Sequence, residues 1–323
     1  MLRNKGFGSA TRAQAHPAAT GESRSKRRFA GSLPLYALIL PSMVLLSVFS
    51  LLPFLWAFWT SFFDYEVGGD TRFVGLANYG EYLTDPTFLP SFANMAMLTL
   101  FHVAVVLIFP LFVARMIFGL SSERARYLYR LLFLVPIVVP GIAGTLIWRG
   151  MIYNDHGLVN ETLRLFGMGH LARGWLSDPR SAIWAVAAIG FPFAGGVNML
   201  IYYAGLSGIA ESVQDAAQLD GATGLRKFFR VEFPLLMSQV KLLVILTIMG
   251  GVQSFEGMLA LTKGGPGFKT MLPGLWMYLN AFSFQRMGYA CAIGVMLFLL
   301  IMGLTVLNLR YLKSAEELTE ARA

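Results

Sequence analysis

The chain alternates long apolar runs with shorter polar connections. Each apolar run has about 20 residues or more, which is the length that a helix needs to cross the hydrocarbon core of a membrane. This pattern predicts six membrane-spanning helices at about 33–60, 93–118, 127–152, 182–206, 235–262 and 288–312. An even number of spans places both ends of the chain on the same side of the membrane.

Basic residues indicate which side that is, because lysine and arginine favour cytoplasmic loops. Residues 1–32 are rich in both, whereas the 64–90 connection has only Arg72 among five acids. Two other connections are basic through Arg124, Arg126, Arg130, Arg226, Lys227 and Arg230. Both termini are therefore predicted to be cytoplasmic, with 1–32 as a disordered basic tail. Residues 33–312 are then the transmembrane domain, and 313–323 form a short C-terminal tail.

Composition agrees with an all-α integral membrane protein. Hydrophobic residues make up 56% of the chain and charged residues 14%, against about 25% charged residues in soluble domains. The pI is near 9.7, but the basic residues are spread among apolar segments. This distribution indicates contact with membrane lipid and argues against a nucleic-acid partner. The single cysteine, Cys291, excludes a disulfide framework and a cysteine metal site.

The cytoplasmic connection 207–234 contains the stretch ESVQDAAQLDGATGLRKFFRVEFP, from residue 211 to residue 234. At helical spacing its polar residues share one face, and its small apolar residues share another. The polar face consists of Glu211, Asp215 and Gln218, and the apolar face of Val213, Ala216 and Ala217. The pattern alone predicts a short amphipathic helix, which by this argument lies on the inner surface of the membrane.

A turn and a second helix follow in the same stretch. Asp220 and Gly221 end the first helix, because glycine tolerates the left-handed conformation of a helix terminus. The second helix is predicted to start near Thr223, and Pro234 marks where the next span begins. The whole stretch is therefore predicted to be a helical hairpin.

The amino-acid sequence of this hairpin resembles the cytoplasmic signature of binding-protein-dependent ABC permeases. The matching positions are Asp215, Ala216, Ala217, Asp220, Gly221, Ala222, Phe228 and Pro234. Asp215 departs from the family, which prefers glutamate at that place. The resemblance implies a type I ABC importer permease fold, in which the hairpin inserts into a cleft on a cytoplasmic ATPase. An acid and small residues suit such a contact, since alanines allow close approach and a carboxylate can pair with a basic group.

Further segments are similar to the maltose-type sugar permeases and occur in the same order. They are FVGLANY (73–79), YNDHGLVN (153–160), WLSDP (175–179), LTKGGPG (261–267) and GYACAIG (288–294). The resemblance implies a non-enzymatic transport subunit of the bacterial inner membrane that passes a sugar or oligosaccharide. It also implies a second homologous permease, a pair of cytoplasmic ABC ATPase subunits and an extracytoplasmic solute-binding protein as partners.

A nucleotide-binding loop is not expected in this chain. The segment GGPGFKT, ending at Thr270, has Phe268 directly before Lys269, where a phosphate-binding loop needs glycine. ATP and Mg are therefore expected on the partner ATPase, and no cofactor is expected in this chain.

Polar residues inside predicted spans are costly and usually face a cavity or the bundle interior. The polar residues of the fifth span are Thr247, Gln253, Ser254 and Glu256. Two of them, Thr247 and Ser254, share helical spacing with the small residues Gly250 and Gly251. They are either substrate-lining residues or ordinary small-residue helix packing. The resemblance to maltose permease adds Gly190, Phe191, Pro192 and Phe193 to the candidates. Phe193 is suited to stack on a sugar ring, or it packs in a helix kinked by Pro192.

Two other function classes compete with the importer. An ion-coupled secondary transporter could use His102 and Glu256 as a proton relay, but it predicts inverted repeats that the sequence does not display. His102 is also typical of a histidine packed between helices. A membrane-embedded enzyme needs a reactive constellation at one depth, and no catalytic set is present.

The outer connections carry more positive charge than the orientation rule expects. Outside, the chain has Arg149, Arg164, Arg173, Arg180, Lys263, Lys269 and Arg286 against Asp155, Glu161 and Asp178. Such a surface attracts an acidic oligosaccharide, such as an alginate oligosaccharide, or an acidic binding protein. The alternatives are that long outer loops cross the membrane regardless of charge, and that the substrate is a neutral disaccharide or a phosphorylated polyol.

Overall fold

The computed structural model describes residues 36, 38–66, 68–191 and 195–311. The two predicted tails and Phe193 lie outside the described residues. The packing reported below is within Ala57–Ala323, the second of two compact units.

The described chain is built almost entirely of helices. In chain order they are α1 (Leu38–Thr60), α2 (Ala77–Thr84), α3 (Phe88–Phe118), α4 (Glu123–Val138), α5 (Gly141–Ile152), α6 (Leu158–Leu165), α7 (Ala182–Ala187), α8 (Gly196–Ser207), α9 (Glu211–Leu219), α10 (Gly224–Leu235), α11 (Met237–Gln253), α12 (Glu256–Leu261), α13 (Pro273–Tyr278) and α14 (Met287–Tyr311). A two-stranded antiparallel sheet pairs β1 (Phe63–Asp64) with β2 (Arg72–Phe73). Single turns of 3-10 helix occur at Gly169–Leu171 and at the end of α4, and α13 continues into a π-helical turn at Leu279–Ser283.

Three of the described helices, α1, α3 and α14, are long and apolar enough to cross a membrane. Two bent pairs, α4 with α5 and α10 with α11, raise the number to as many as five. The predicted span 93–118 is thus a continuous helix, and so is the described part of the predicted span 288–312, up to Tyr311. The other predicted spans inside the second unit are interrupted, and the interruptions have local causes.

The predicted span 127–152 bends by 87° between α4 and α5. Val139 is extended, with φ −75° and ψ 121°, because the ring of Pro140 disfavours the helical conformation in the residue before it. The predicted span 182–206 is not one helix either, since α7 and α8 are separate. Gly190 follows α7 with φ +83°, and Gly195 directly precedes α8 with φ +105°. Neither residue has the right-handed conformation that a continuous helix requires.

The predicted span 235–262 is also divided. Its main helix, α11, begins at Met237 after a 67° bend and ends at Gln253. Pro234 was expected to mark the start of this span, but it lies inside α10. The reason is a π-helical turn at Phe228–Glu232 just before it, so Pro234 sits at the start of a new α-helical turn where its missing N–H is tolerated.

Helix α3 organises the interior, because two apolar clusters pack along it. The first lies toward its N-terminal end and includes Met95, Leu98, Leu261, Leu272 and Ile293. The second lies toward its C-terminal end and includes Leu111, Ala114, Met199, Tyr202 and Leu236. At 1.5 Å per residue, residues 95 and 114 are about 28 Å apart along the axis. The loops before α13 and the 211–234 hairpin therefore lie at opposite ends of α3.

Candidate functional site

The 211–234 stretch folds as a helical hairpin, as predicted. Helix α9 ends at Leu219, and Gly221 follows with φ +69°. The amide of Ala222 donates to the carbonyl of Ala217 over 2.9 Å. Thr223 is extended and precedes the first residue of α10. An added Cβ at Gly221 would meet no atom within 4 Å, so the turn requires glycine for its backbone conformation and not for space.

A buried lysine connects the two arms of the hairpin. The Nζ of Lys227 donates to Oε1 of Gln214 over 3.3 Å, and Lys227 is 8% exposed. Ala217 and Ala222 are buried beside this contact region. Lys227 was predicted only as one of three basic residues of this connection. Helical spacing does not set it apart from the other two, because Arg226 directly precedes it and Arg230 is three residues on, yet both of those are exposed.

The opposite side of the hairpin is an exposed surface with apolar and acidic groups. Leu219 is 89% exposed, Leu225 76% and Phe229 62%. Asp215 and Ala216 are also exposed. The predicted apolar face of α9 is therefore divided, because Ala217 points inward whereas Val213 and Ala216 remain exposed. Large apolar side chains in this number are typical of a protein or membrane contact.

The hairpin is joined to α3 by an ion pair in which Glu232 is buried and the Arg115 side chain is 30% exposed. Oε2 of Glu232 lies 2.5 Å from Nε of Arg115, and the Glu232 side chain is 2% exposed. The pair lacks the linear geometry of a hydrogen bond. Phe228 packs against the second apolar cluster, and its ring centroid is 6.1 Å from that of Phe233. A groove of about 770 Å³ separates the rest of α10 from α3.

The predicted substrate-lining residues of the fifth span have different surroundings, although Thr247, Gly250 and Gly251 lie in one helix. Gly251 packs against α3, since an added Cβ would overlap Oγ1 of Thr99. Gly250 faces open space. The hydroxyl of Thr247 donates to the carbonyl of Leu243 over 2.7 Å. Ser254 lies beyond the end of α11 in an extended conformation, so the helical spacing that linked it to Thr247 stops before it.

The remaining lining candidates are dispersed. Gln253 and Glu256 are exposed. Gly190 lies in the break after α7, next to Phe191, whose ring centroid is 5.3 Å from that of Phe109. These residues lie in separate segments and do not form one continuous polar stripe along a helix.

The residues of the ion-coupled alternative are not joined to each other. His102 is within hydrogen-bonding reach of the backbone at Leu98 and Ala187, whereas Glu256 is exposed at the start of α12. Among the described residues, no ion pair joins His102 to Glu256. The described part of the chain also has no group of three or more histidine, cysteine, aspartate or glutamate residues that could hold a metal ion.

The short sugar-permease motifs form hydrogen bonds within and between the loops at the other end of α3. Asn160, 1% exposed, donates to the carbonyls of Asn154 and Arg173 and accepts from the indole N–H of Trp175. Asn78 donates to the carbonyl of Phe63 over 2.9 Å. These contacts fix the loops and explain why asparagine and tryptophan occur at those motif positions.

Asp85 joins three segments at this end. One carboxylate oxygen accepts from the amide and hydroxyl of Thr87, both at 2.7 Å. The other accepts from Nε1 of Trp276 at 3.2 Å and from the hydroxyl of Tyr289 at 2.9 Å. Burial raises the pKa of Asp85, but these hydrogen bonds outweigh it and hold the pKa below its ordinary value.

The sequence was compared with known protein families and with individual proteins. The sequence matches the family described as "Binding-protein-dependent transport system inner membrane component" over residues 29–312. The sulfoquinovosyl glycerol transport system permease protein SmoG of Agrobacterium fabrum is 29% identical over 284 residues, covering 86% of this chain and 90% of that protein. The trehalose/maltose transport system permease protein MalF of Thermococcus litoralis is 28% identical over 284 residues, covering 85% of this chain and 92% of that protein.

A solved structure has the same fold. A bacterial ABC transporter involved in the import of the acidic polysaccharide alginate contains a chain that superimposes with a TM-score of 0.76 at 18% identity. The match covers 90% of this chain and 100% of that chain. The family match covers most of the sequence, and the hairpin and loop motifs lie within it. The chain therefore belongs to the family of binding-protein-dependent transport system inner membrane components.

Proposed function

We propose that this chain is the permease subunit of an ATP-driven importer of a sugar or oligosaccharide in the bacterial inner membrane. The observation that carries the proposal is the 211–234 hairpin. It combines a rigid interior with an exposed surface of Asp215, Leu219, Leu225 and Phe229 at one end of α3. Such a surface suits a protein partner that pushes on the transmembrane domain.

Six spans with both termini in the cytoplasm place the hairpin on the cytoplasmic side. The bent pair α4 and α5, the bent pair α10 and α11, and the divided segment 182–206 then complete the set with α1, α3 and α14. The positive charge of residues 1–32 supports this orientation.

One hairpin serves one ATPase subunit, because it offers a single exposed surface of this kind. A pair of ATPases, each binding ATP and Mg, therefore requires a second homologous permease with its own hairpin. An extracytoplasmic solute-binding protein delivers the sugar at the other end of α3. On this proposal, Asp215, Ala216, Ala217, Asp220, Gly221, Ala222, Phe228 and Pro234 form or support the ATPase-coupling element.

The substrate path runs past the exposed members of the candidate set. Gly250, Gln253, Ser254 and Glu256 are the best placed, since their side chains or added Cβ atoms are not covered by α3. Gly190 lies in the break in the fourth segment, and Phe193 remains a candidate from the sequence alone. Thr247 and Gly251 contribute mainly to helix packing.

An acidic substrate is favoured by the balance of outer charges. Arg164, Arg173 and Arg286 are paired with Glu161, Asp178 and Glu81, respectively. Arg149, Arg180, Lys263 and Lys269 form no ion pair with a described acid. An unpaired positive surface attracts an anionic oligosaccharide over about a Debye length. The names of SmoG and of the alginate transporter also refer to anionic sugars.

The proposal is tested by purifying the chain from its native host with an affinity tag. A second permease should copurify with this chain in a 1:1 ratio, together with an ATPase pair. ATP hydrolysis by the assembled complex should be stimulated more by uronate oligomers than by neutral oligomers of matched length, each presented by the cognate binding protein. Equal stimulation by the neutral set removes the acidic substrate and leaves the importer unaffected.

A further inference from the structure

A pocket of about 450 Å³ lies at the end of α3 opposite the hairpin. Three loops form it: the end of α5 with residues 153–155, the 174–177 turn, and the 261–266 segment. Each loop carries one of the short motifs identified in the sequence. This pocket is not part of the candidate substrate path, which follows α11 and the fourth segment.

The walls of the pocket are fixed before any ligand binds. Asn160 donates to the carbonyls of both Asn154 and Asp155 over 3.2 Å. The hydroxyl of Ser177 donates to the carbonyl of Gly174 over 3.2 Å, which closes the 174–177 turn. The hydroxyl of Thr262 is paired with that of Thr270 at 2.6 Å. A preformed site of this kind loses little conformational freedom on binding.

The lining has the chemistry of a polyol site. Two opposite charges face it, Arg149 and Asp155, and the hydroxyl and amide groups of Ser177 and Asn154 are exposed beside them. Nη1 of Arg149 donates to the carbonyl of Ala260 over 2.7 Å, which holds the guanidinium in place and leaves its other N–H groups as donors. Arg149 and Asp155 form no ion pair with each other among the described residues.

We propose that this pocket is an outer subsite for one sugar unit of the transported saccharide. Asp155 accepts hydrogen bonds from adjacent sugar hydroxyls, and Arg149 donates to a ring oxygen or to a sugar carboxylate. The inference rests on the proposed function, because only that orientation places the pocket on the side where the binding protein delivers sugar. The subsite holds the leading sugar unit while the rest of the saccharide is still bound to the delivering protein.

The test is equilibrium binding to the assembled complex in lipid nanodiscs without the binding protein. The probes are a uronate tetrasaccharide and a neutral tetrasaccharide, titrated calorimetrically. Wild type should bind at least one of them. Arg149→Gln and Asp155→Asn should each weaken that binding about tenfold, the effect of losing a charge-assisted hydrogen bond. Ser177→Trp, which fills the pocket from its rim, should abolish it. His156→Gln is the matched control, since His156 is next to Asp155 and exposed but does not line the pocket.

The outcomes separate the subsite from the importer. Unchanged binding in all three pocket variants places the sugar elsewhere and overturns the subsite. No saccharide binding by a wild-type complex that transports sugar overturns it too. Failure of the complex to transport any sugar with ATP contradicts the proposed function instead. Size-exclusion profiles identify any variant that fails to assemble, and the variants that do assemble then decide.

Discussion

Oε2 of Glu232 lies 2.5 Å from Nε of Arg115, and this contact links the second arm of the 211–234 hairpin to the C-terminal part of α3. Glu232 is 1% exposed. A charge buried to this degree is stable only next to its partner. The pair therefore ties α10 to α3, and on the proposed function it is part of the route from the ATPase-coupling hairpin to the transmembrane helices.

Replacing Glu232 with glutamine should destabilise the chain by about 1–3 kcal/mol, because a buried group loses its charged partner, while Arg115, whose side chain is 30% exposed, still reaches water. The measurement is denaturant unfolding of the detergent-solubilised complex. Glu123→Gln is the control, since Glu123 forms an exposed pair with Arg126 and such pairs contribute less than about 1 kcal/mol. Equal losses in the two variants contradict a special role for the Arg115 pair.

Gly221→Val should uncouple ATP hydrolysis from uptake while leaving membrane insertion intact. Its φ of +69° costs an L-residue about 1–2 kcal/mol, and a β-branched side chain more. Gly221→Asn should retain most coupling, because asparagine tolerates the left-handed conformation. Uptake per ATP hydrolysed in proteoliposomes distinguishes the two variants. Normal uptake by the valine variant would remove the hairpin from the coupling mechanism.

Adjacent glycines in α11 should respond differently to alanine. Gly251→Ala should cost about 1–3 kcal/mol, since the new methyl overlaps Oγ1 of Thr99. Gly250→Ala should be neutral or slightly stabilising, because its Cβ meets open space and alanine favours helix. Thermal unfolding of both variants checks the difference. Gly250→Leu should then slow uptake without loss of stability if this position lines the substrate path, and unchanged uptake argues against that role.

These residues show what the sequence could predict. The left-handed turn at Gly221 follows from local chemistry, so the hairpin was predictable with its signature positions. Periodicity also identified Gly250 and Gly251 as special, but it could not separate them, because only the position of Thr99 on another helix decides which glycine is covered. Lys227 was missed for the same reason, since its burial depends on Gln214 of the other arm.

The breaks in the spans were harder to predict than the spans. Hydropathy averages over a window, so α4 and α5 appear as one apolar run although Val139 is extended before Pro140. Pro234 suggested a helix start, but a π-helical turn before it moved the bend to Leu236. Backbone register of that kind depends on tertiary packing, which the sequence pattern does not record.

Asp85 should make stability depend on pH only in acid. Its folded pKa lies below the ordinary value of 3.8, so its contribution is complete above the unfolded pKa and is lost as the pH falls through the folded pKa. Asp85→Asn should lower the unfolding temperature by a constant amount above about pH 5, and this difference should shrink below about pH 4. A difference that grows on acidification would contradict the hydrogen-bonded carboxylate.

The most direct test of the importer is uptake by proteoliposomes that contain this chain with its partner permease and ATPases. ATP is enclosed, the loaded binding protein is added outside, and ionophores collapse the proton and sodium gradients. The account predicts sugar accumulation that requires ATP and survives loss of both gradients, and that falls when the hairpin carries Gly221→Val. Accumulation that needs no ATP and stops with the ionophores would contradict it and support an ion-coupled transporter.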